Sequence, residues 1–93
     1  GTLTASGQKH YYKFYVSQTG GVRITLSFAS GRDFDLELYS ARTGTRLTYS
    51  WFNNPEVINY TITSPGWYVV MVAAYSGTGN YTLTLTSTGA TIR

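Results

Sequence analysis

The sequence contains no cysteine, and only one histidine and one methionine occur among its 93 residues. Without thiols the chain can form no disulfide, no thiolate metal site and no thiol nucleophile. The absence of cysteine is compatible with an oxidising or a reducing compartment and does not distinguish them. Charged residues make up 12% of the chain and the seven Lys and Arg are scattered, so the basic cluster of a nucleic-acid-binding protein is missing. No apolar run reaches the ~20 residues that cross a bilayer. We therefore expect neither nucleic acid nor a membrane as a partner.

A helical period is also missing, and an alternation of apolar and polar residues takes its place. Aromatic residues amount to 16%, and nine of them are tyrosine; such alternation with many Thr and aromatic residues is typical of half-buried antiparallel strands. The alternation predicts strands at residues 8–17, 22–29, 33–39, 46–52 and 56–63, and a hairpin at 66–86 with its turn at 76–80. This pattern predicts an all-β fold, an antiparallel two-sheet sandwich of jelly-roll type with seven or eight strands.

A chain of 93 residues has room for one hydrophobic core. We therefore interpret residues 1–93 as a single domain, excised from a larger protein, and we expect it to be monomeric. Residues 1–7 are predicted to be a leading segment without a strand, and residues 88–93 a frayed end or linker.

The strand that starts at Gly66 is apolar on both of its faces. One face carries Tyr68, Val70 and Val72, and the opposite face carries Trp67, Val69, Met71 and Tyr75. Rigid aromatic side chains on a flat sheet suit an extended polymer, because each buries ~150 to 250 Å² and loses little entropy. Together with the strand at 8–17 they give these candidate ligand-binding residues: Trp67, Tyr75, Met71, Tyr11 and Tyr15. Three explanations of this face stay open: cover by a loop such as residues 42–54, contact with a sister domain, or binding of a polymer.

Three of the four carboxylates lie on one predicted strand, at Asp33, Asp35 and Glu37. Alternate residues of a strand lie ~6.5 to 7 Å apart, and Ca²⁺ takes six to eight oxygens at ~2.3 to 2.6 Å. One strand therefore supplies two ligands at most, and loop carbonyls or the side chains of Asn53 and Asn54 would complete the shell. Two interpretations stay open: a calcium site at Asp33 and Asp35, or a solvated face paired with Lys or Arg.

No catalytic constellation is recognisable. His10 is the only histidine and lies near the start of a predicted strand, and a Ser-His-Asp triad would also need an oxyanion hole and a nucleophile turn. Three acids on a flat strand lack the cleft of a glycosidase pair. We therefore expect that the domain is not an enzyme.

Several short segments, in their order and spacing, resemble a known family. They are YKFYV at 12–16, DFDLELY at 33–39, EVINYT at 56–61 and PGWYVV at 65–70, which continues to YSGTGNYTL at 75–83. Together they are similar to the bacterial pre-peptidase C-terminal domain, and the likeness covers nearly the whole chain. The resemblance implies a jelly-roll-type sandwich at the C-terminal side of secreted proteases, where it is an accessory domain outside the catalytic unit.

In clostridial collagenases a similar domain binds collagen through an aromatic sheet face and holds calcium near its N-terminal end. Residues 1–9 of this chain contain no carboxylate, so only Asp33 and Asp35 are carried over as metal ligands. The resemblance and the aromatic face predict a secreted accessory domain that binds an insoluble protein such as collagen. Two alternatives are a structural domain that docks on the parent enzyme and stabilises it, with calcium, and a carbohydrate-binding module for a polysaccharide such as chitin or cellulose.

Overall fold

Nine strands form two antiparallel sheets in the computed structural model, which describes residues 1–93. The strands are β1 (Thr2–Leu3), β2 (Lys9–Gln18), β3 (Gly20–Phe28), β4 (Asp33–Ser40), β5 (Arg46–Ser50), β6 (Glu56–Ile62), β7 (Gly66–Ser76), β8 (Gly79–Ser87) and β9 (Thr91–Ile92). One sheet has the order β1-β8-β3-β6 and the other the order β5-β4-β7-β2-β9. The predicted all-β sandwich is confirmed. No helix of the kind that could span a bilayer occurs.

The inner faces of both sheets supply the hydrophobic core. It comprises 17 buried residues, and alternate positions of each strand contribute, as in Ile24 and Leu26 of β3 and Leu36 and Leu38 of β4. All four of these side chains are 0% exposed. The period-two pattern in the sequence therefore identifies the buried face of the strands on both sides of the sandwich.

The chain changes sheet at every connection except the one between β4 and β5. The hairpin predicted at residues 66–86 is therefore wrong: β7 lies between β4 and β2, whereas β8 lies in the other sheet between β1 and β3. Gly77 and Gly79 make the crossing with φ of 80° and 140°, a region that side chains disfavour. Alternation did not reveal the crossing, because the inner faces of two packed sheets require the same pattern as one face of a hairpin.

Both terminal segments are also part of the sheets. Leu3 of β1 is fully buried and β1 pairs with β8, while Ala90 is 6% exposed and β9 pairs with β2. The predictions of a leading segment without a strand and of a frayed end are therefore wrong. Strands of two residues are too short to show an alternation in the sequence.

The two sheets differ on their outer faces. The four-stranded sheet presents small, mostly polar residues and one arginine there: Arg23, Thr25, Ser27, Val57, Asn59, Thr61, Asn80, Thr82, Thr84 and Thr86. The five-stranded sheet presents aromatic and charged residues: Lys9, Tyr11, Lys13, Tyr15, Asp35, Glu37, Tyr39, Trp67, Val69, Met71 and Ala73. The candidate functional residues lie on this second face and at one edge of it.

Candidate functional site

The middle of the outer face of the five-stranded sheet is covered by side chains from neighbouring strands. Met71 of β7 lies opposite Tyr11 of β2 and Glu37 of β4, and Met71 is only 5% exposed. Ala73, one step along the same face, is 8% exposed. The longer side chains of β2 and β4 rise above these two residues. This explains why the central strand is apolar on its outer face, and it places Met71 at the floor of the surface.

The other candidate ligand-binding residues lie at the ends and side of this face. Trp67, Tyr11 and Tyr75 are 49%, 63% and 74% exposed. Tyr15 is half-buried and packs edge to face on Trp67, with ring centroids 5.2 Å apart. The ammonium of Lys13 lies 5.1 Å from the centre of the Trp67 ring, a distance typical of cation–π contact. Trp67 is thus held between two neighbours and remains half open to solvent.

Trp67 and Tyr75 mark opposite ends of β7. They are eight positions apart, which corresponds to ~26 Å at ~3.3 Å per residue. Tyr75 lies in a β-bulge, because Asp33 pairs with Ser76 whereas the next residue of β4, Phe34, pairs with Ala74. A bulge redirects a side chain from the regular pleat. The face therefore has one exposed aromatic residue at each end.

A second group of aromatic residues lies beside β5. The rings of Tyr49 and Trp51 are 4.0 Å apart, and the guanidinium of Arg46 lies 4.8 Å from the first ring and 5.0 Å from the second. Phe52, the next residue, is 87% exposed. The sequence did not predict this group, because β5 is short and ends at Ser50, so the pattern did not fix which way these rings face.

Glu37 connects this aromatic group to β4. Its carboxylate accepts hydrogen bonds from the Tyr39 hydroxyl and from Trp51 Nε1, the latter at 2.9 Å, and it pairs with Arg46 at 3.6 Å. The hydrogen bond to Glu37, with burial, raises the pKa of Tyr39 to about 12. The alternative to a calcium site was a solvated strand face whose acids pair with Lys or Arg. Glu37 does pair with an arginine, but it is only 8% exposed and therefore not solvated.

The other two carboxylates of β4 meet a third carboxylate from the opposite sheet. Oxygens of Asp33, Asp35 and Glu56 all lie within 4.8 Å of one another. Glu56 is 0% exposed. The sequence analysis did not identify Glu56 as a site residue. One signal was present, because the inward positions Ile58, Tyr60 and Ile62 continue towards the N-terminus to Glu56 and so place an acidic residue on the inner face of the strand.

The end of β5 brings these three residues together. β5 pairs with β4 only as far as Ser50 opposite Leu36, which leaves the edge of β4 at Asp33 to Asp35 unpaired on that side. Residues 51–55 then cross to the four-stranded sheet, where β6 begins with Glu56. Glu56 Oε1 accepts hydrogen bonds from Ser50 Oγ at 2.6 Å and from the Asn53 amide at 3.1 Å.

The cluster of Asp33, Asp35 and Glu56 concentrates negative charge in a partly buried place. Burial raises the pKa of Asp35 to about 7, with further contributions from the charges of Asp33, Glu56 and Glu37. Burial also raises the pKa of Glu56. The one ion pair of the structure joins Arg46 to Glu37, so no Lys or Arg neutralises the cluster. Such a donor set of oxygens alone suits a hard cation.

Residues 1–9 supply no carboxylate to the calcium site that the family resemblance implies at the N-terminal end. The ammonium group of Gly1 donates to the Tyr81 carbonyl at 2.9 Å. His10, near this end, has Nδ1 2.8 Å from the hydroxyl of the same tyrosine. Both contacts hold the start of the chain against Tyr81 of β8.

Comparison with known proteins gives a family match and matches to solved structures. The family model described as bacterial pre-peptidase C-terminal domain matches residues 8–74, a range that includes the acidic cluster and Trp67. Among solved structures, the pre-peptidase C-terminal domain of a collagenase from Bacillus anthracis is similar, with a TM-score of 0.80 and 24% sequence identity. The alignment covers 92% of this chain and 84% of that one. The structural likeness shows a shared fold.

Proposed function

Because the chain belongs to the bacterial pre-peptidase C-terminal domain family, we propose that it is a non-catalytic accessory domain of a secreted peptidase. In this proposal the domain works outside the cell and binds an insoluble protein substrate such as collagen. The binding surface is the outer face of the five-stranded sheet, with Trp67 and Tyr75 as anchors and Tyr11 and Tyr15 as flanking contacts. Met71 supports them from below, since it is buried.

The exposure of three aromatic residues on one sheet face carries this proposal. Tyr11, Trp67 and Tyr75 are each about half exposed or more, whereas the outer face of the four-stranded sheet has no aromatic residue. Aromatic side chains are the residues that contribute most to binding surfaces, because they bring a large rigid area and a polar atom. Their restriction to one face favours a ligand that lies on that face.

The dimensions of the face favour an extended chain as the ligand. The ~26 Å between Trp67 and Tyr75 equals the length of about eight residues in a polyproline-type helix, which rises ~3.1 Å per residue. Tyr hydroxyls and the Trp67 N–H can form hydrogen bonds with peptide carbonyls of such a chain. Collagen strands have this conformation, so collagen is the substrate to test first.

Retention of the isolated domain on insoluble collagen fibrils tests the proposal. We expect the wild type to be retained, and we expect Trp67→Ala or Tyr75→Ala to bind roughly tenfold more weakly, the usual loss for a central aromatic contact. Thr84→Ala on the outer face of the other sheet is the matched control and should bind as the wild type does. Thermal melting of each variant would verify that the fold is intact.

Different outcomes separate the competing functions. Absence of wild-type retention on collagen overturns the proposal. Retention on chitin or cellulose instead would identify a carbohydrate-binding module, which uses the same kind of aromatic platform. If deleting the domain from its parent lowers the parent's melting temperature and leaves activity on insoluble substrate unchanged, the domain is a docking and stabilising unit.

A further inference from the structure

We propose that Asp33, Asp35 and Glu56 bind one divalent cation, Ca²⁺, at the edge of the sandwich where β4 of one sheet approaches β6 of the other. This site lies at one end of the proposed polymer-binding face, where Asp33 and Asp35 share a depression with Tyr75, but cation binding there does not depend on the proposed function. It is separate from the N-terminal segment, which contains no carboxylate in residues 1–9.

The spacing of the three carboxylates suits one calcium ion. Their oxygens lie within 4.8 Å of one another. Two ligands on opposite sides of Ca²⁺, each ~2.3 to 2.6 Å from it, are ~4.6 to 5.2 Å apart. Mg²⁺ demands near-ideal octahedral geometry and usually keeps several of its waters, and Zn²⁺ prefers His and Cys. The three side chains can therefore surround Ca²⁺ with little rearrangement.

Glu56 supplies the second, independent observation. Its side chain is 0% exposed, and only Oε1 has hydrogen-bond partners, from Ser50 and Asn53. Oε2 is buried without a partner from the protein, and so is Oδ1 of Asp35. Buried polar atoms nearly always have a partner, and a buried carboxylate without one is costly. Both unpartnered oxygens belong to the residues of the cluster, which is what a cation site requires.

No protein cation supplies the missing charge. Arg32 is next to Asp33 in sequence, but it donates to the carbonyls of Thr78 and Ser30, and Arg46 pairs with Glu37. A proton on Asp35 would remove one negative charge of the three. It would leave the unpartnered oxygen of Glu56 as it is, whereas a cation would satisfy both residues at once.

The surroundings can complete the coordination shell. Asp33 shares a surface depression with Phe52, Asn53 and Asn54, so amide or backbone oxygens of this segment and water are available for the remaining positions of the six to eight that Ca²⁺ requires. On the other side, Asp33 and Asp35 line a depression with Trp51, Phe52 and Tyr75. The ion is therefore accessible from solvent at the edge of the aromatic group.

A cation here would connect the two sheets. Asp33 and Asp35 belong to β4 and Glu56 to β6, so the ion joins strands of different sheets across the crossing segment at 51–55. Binding to the folded state alone raises stability, and it fixes this segment, which carries Trp51 and Phe52.

Thermal melting in calcium and in EDTA tests the site. With calcium at about ten times a dissociation constant of ~10⁻⁴ to 10⁻³ M, we expect the melting temperature to rise by roughly 5 to 10 °C over the EDTA sample. Magnesium at the same concentration should give a smaller rise. Equal melting temperatures in calcium and EDTA would overturn the proposal.

Replacing a carboxylate of the cluster by its neutral amide distinguishes a cation ligand from a residue that only stabilises the fold. The two roles predict opposite changes of the melting temperature in EDTA. Asp35→Asn removes repulsion, so in EDTA it should melt at or above the wild-type temperature, yet its calcium-dependent rise should be lost. Glu37→Gln, on the same strand but outside the cluster, should keep the full rise. If Asp35→Asn and Glu37→Gln respond to calcium equally, the cluster is not the site.

Terbium luminescence provides a readout that does not depend on stability. Tb³⁺ replaces Ca²⁺ at oxygen sites and is excited by a nearby tryptophan. The chain has two tryptophans: Trp51 lines the depression beside Asp33 and Asp35, and Trp67 lies at the other end of β7. Trp67→Phe should therefore keep the sensitised emission and Trp51→Phe should lose most of it. Emission that is lost instead with Trp67 would contradict the site.

Discussion

The outer faces of the two sheets differ sharply in the residues that they present. On the four-stranded sheet, Thr25 lies between Val57 and Thr84 in a surface of small, mostly polar side chains. On the five-stranded sheet, Met71 lies between Tyr11 and Glu37 in a surface of rings and charges. Thr and Ser faces are sufficient to solvate an antiparallel sheet, so the aromatic and acidic residues of the second face are more than solubility requires. The contrast supports the proposal that the second face carries the ligand-binding residues.

The inner faces of the two sheets show no such difference. Matched truncations of one buried leucine in each sheet test whether the two sheets contribute equally to the core. Leu26 of β3 and Leu36 of β4 are both 0% exposed. Leu26→Ala and Leu36→Ala should each lower the free energy of unfolding by about 2 to 5 kcal/mol, because each leaves a cavity in the shared core. Chemical denaturation measures both. A cost below about 1 kcal/mol for one of them would show that the two sheets are unequal partners in the core.

A smaller effect is expected from the charged outer-face residues, and here the two faces should differ. Glu37→Ala leaves the Tyr39 hydroxyl and Trp51 Nε1 without their acceptor, so we expect a loss of about 1 to 3 kcal/mol. Arg23→Ala on the other face removes an exposed side chain and should change stability by less than about 0.5 kcal/mol.

Glu37→Gln is the intermediate case for this comparison. Its amide can still accept a hydrogen bond but cannot pair with Arg46, so its free energy of unfolding should lie between those of the wild type and Glu37→Ala. Equal losses for Glu37→Ala and Arg23→Ala would mean that the network around Glu37 adds nothing to stability.

Much of the fold was predictable, because alternation records which side of each strand is buried. The strand predicted at 33–39 is Asp33–Ser40 and the strand predicted at 56–63 is Glu56–Ile62. Sheet membership was not predictable, since the inward pattern of β7 and β8 is the same whether they pair or face each other. Pairing depends on the path of the connections, which leaves no periodic signal.

The candidate site was predictable only in part, for a similar reason. The row of Asp33 and Asp35 follows from one strand, and both remain proposed ligands. The third carboxylate, Glu56, joins them only because residues 51–55 cross between the sheets at the end of β5. The burial of Met71 depends on the register of β7 with β2 and β4, which an isolated strand does not encode. The roles of Trp67 and Tyr75 stay predictions.

The smallest expected effect is an alkaline one that, of the two outer faces, only that of the five-stranded sheet can show. Arg23 is the one titratable residue on the outer face of the other sheet, whereas Tyr39 has its pKa raised to about 12 by its hydrogen bond to Glu37 and by burial. An unfolded tyrosine has a pKa of ~10. Below that pH the hydroxyl is protonated in both states and its contribution to folding is complete. As the pH rises from about 10 to 12 the unfolded chain loses this proton first, so the contribution declines and then vanishes.

Comparing the wild type with Tyr39→Phe isolates the contribution of the Tyr39 proton to stability. The other tyrosines with raised pKa values, Tyr68 and Tyr81, are present in both proteins. Glu37 and Arg46 face the hydroxyl, and Tyr11 lies near it; all three are also common to the pair. Since Tyr39 is partly exposed, solvent screening limits its contribution to below about 1 kcal/mol. The difference in unfolding free energy between the wild type and Tyr39→Phe should therefore shrink between pH 9 and 12. A difference that stays constant over this range would mean that the Tyr39 proton does not contribute to folding, and the contrast between the two faces would then be one of shape and aromatic area alone.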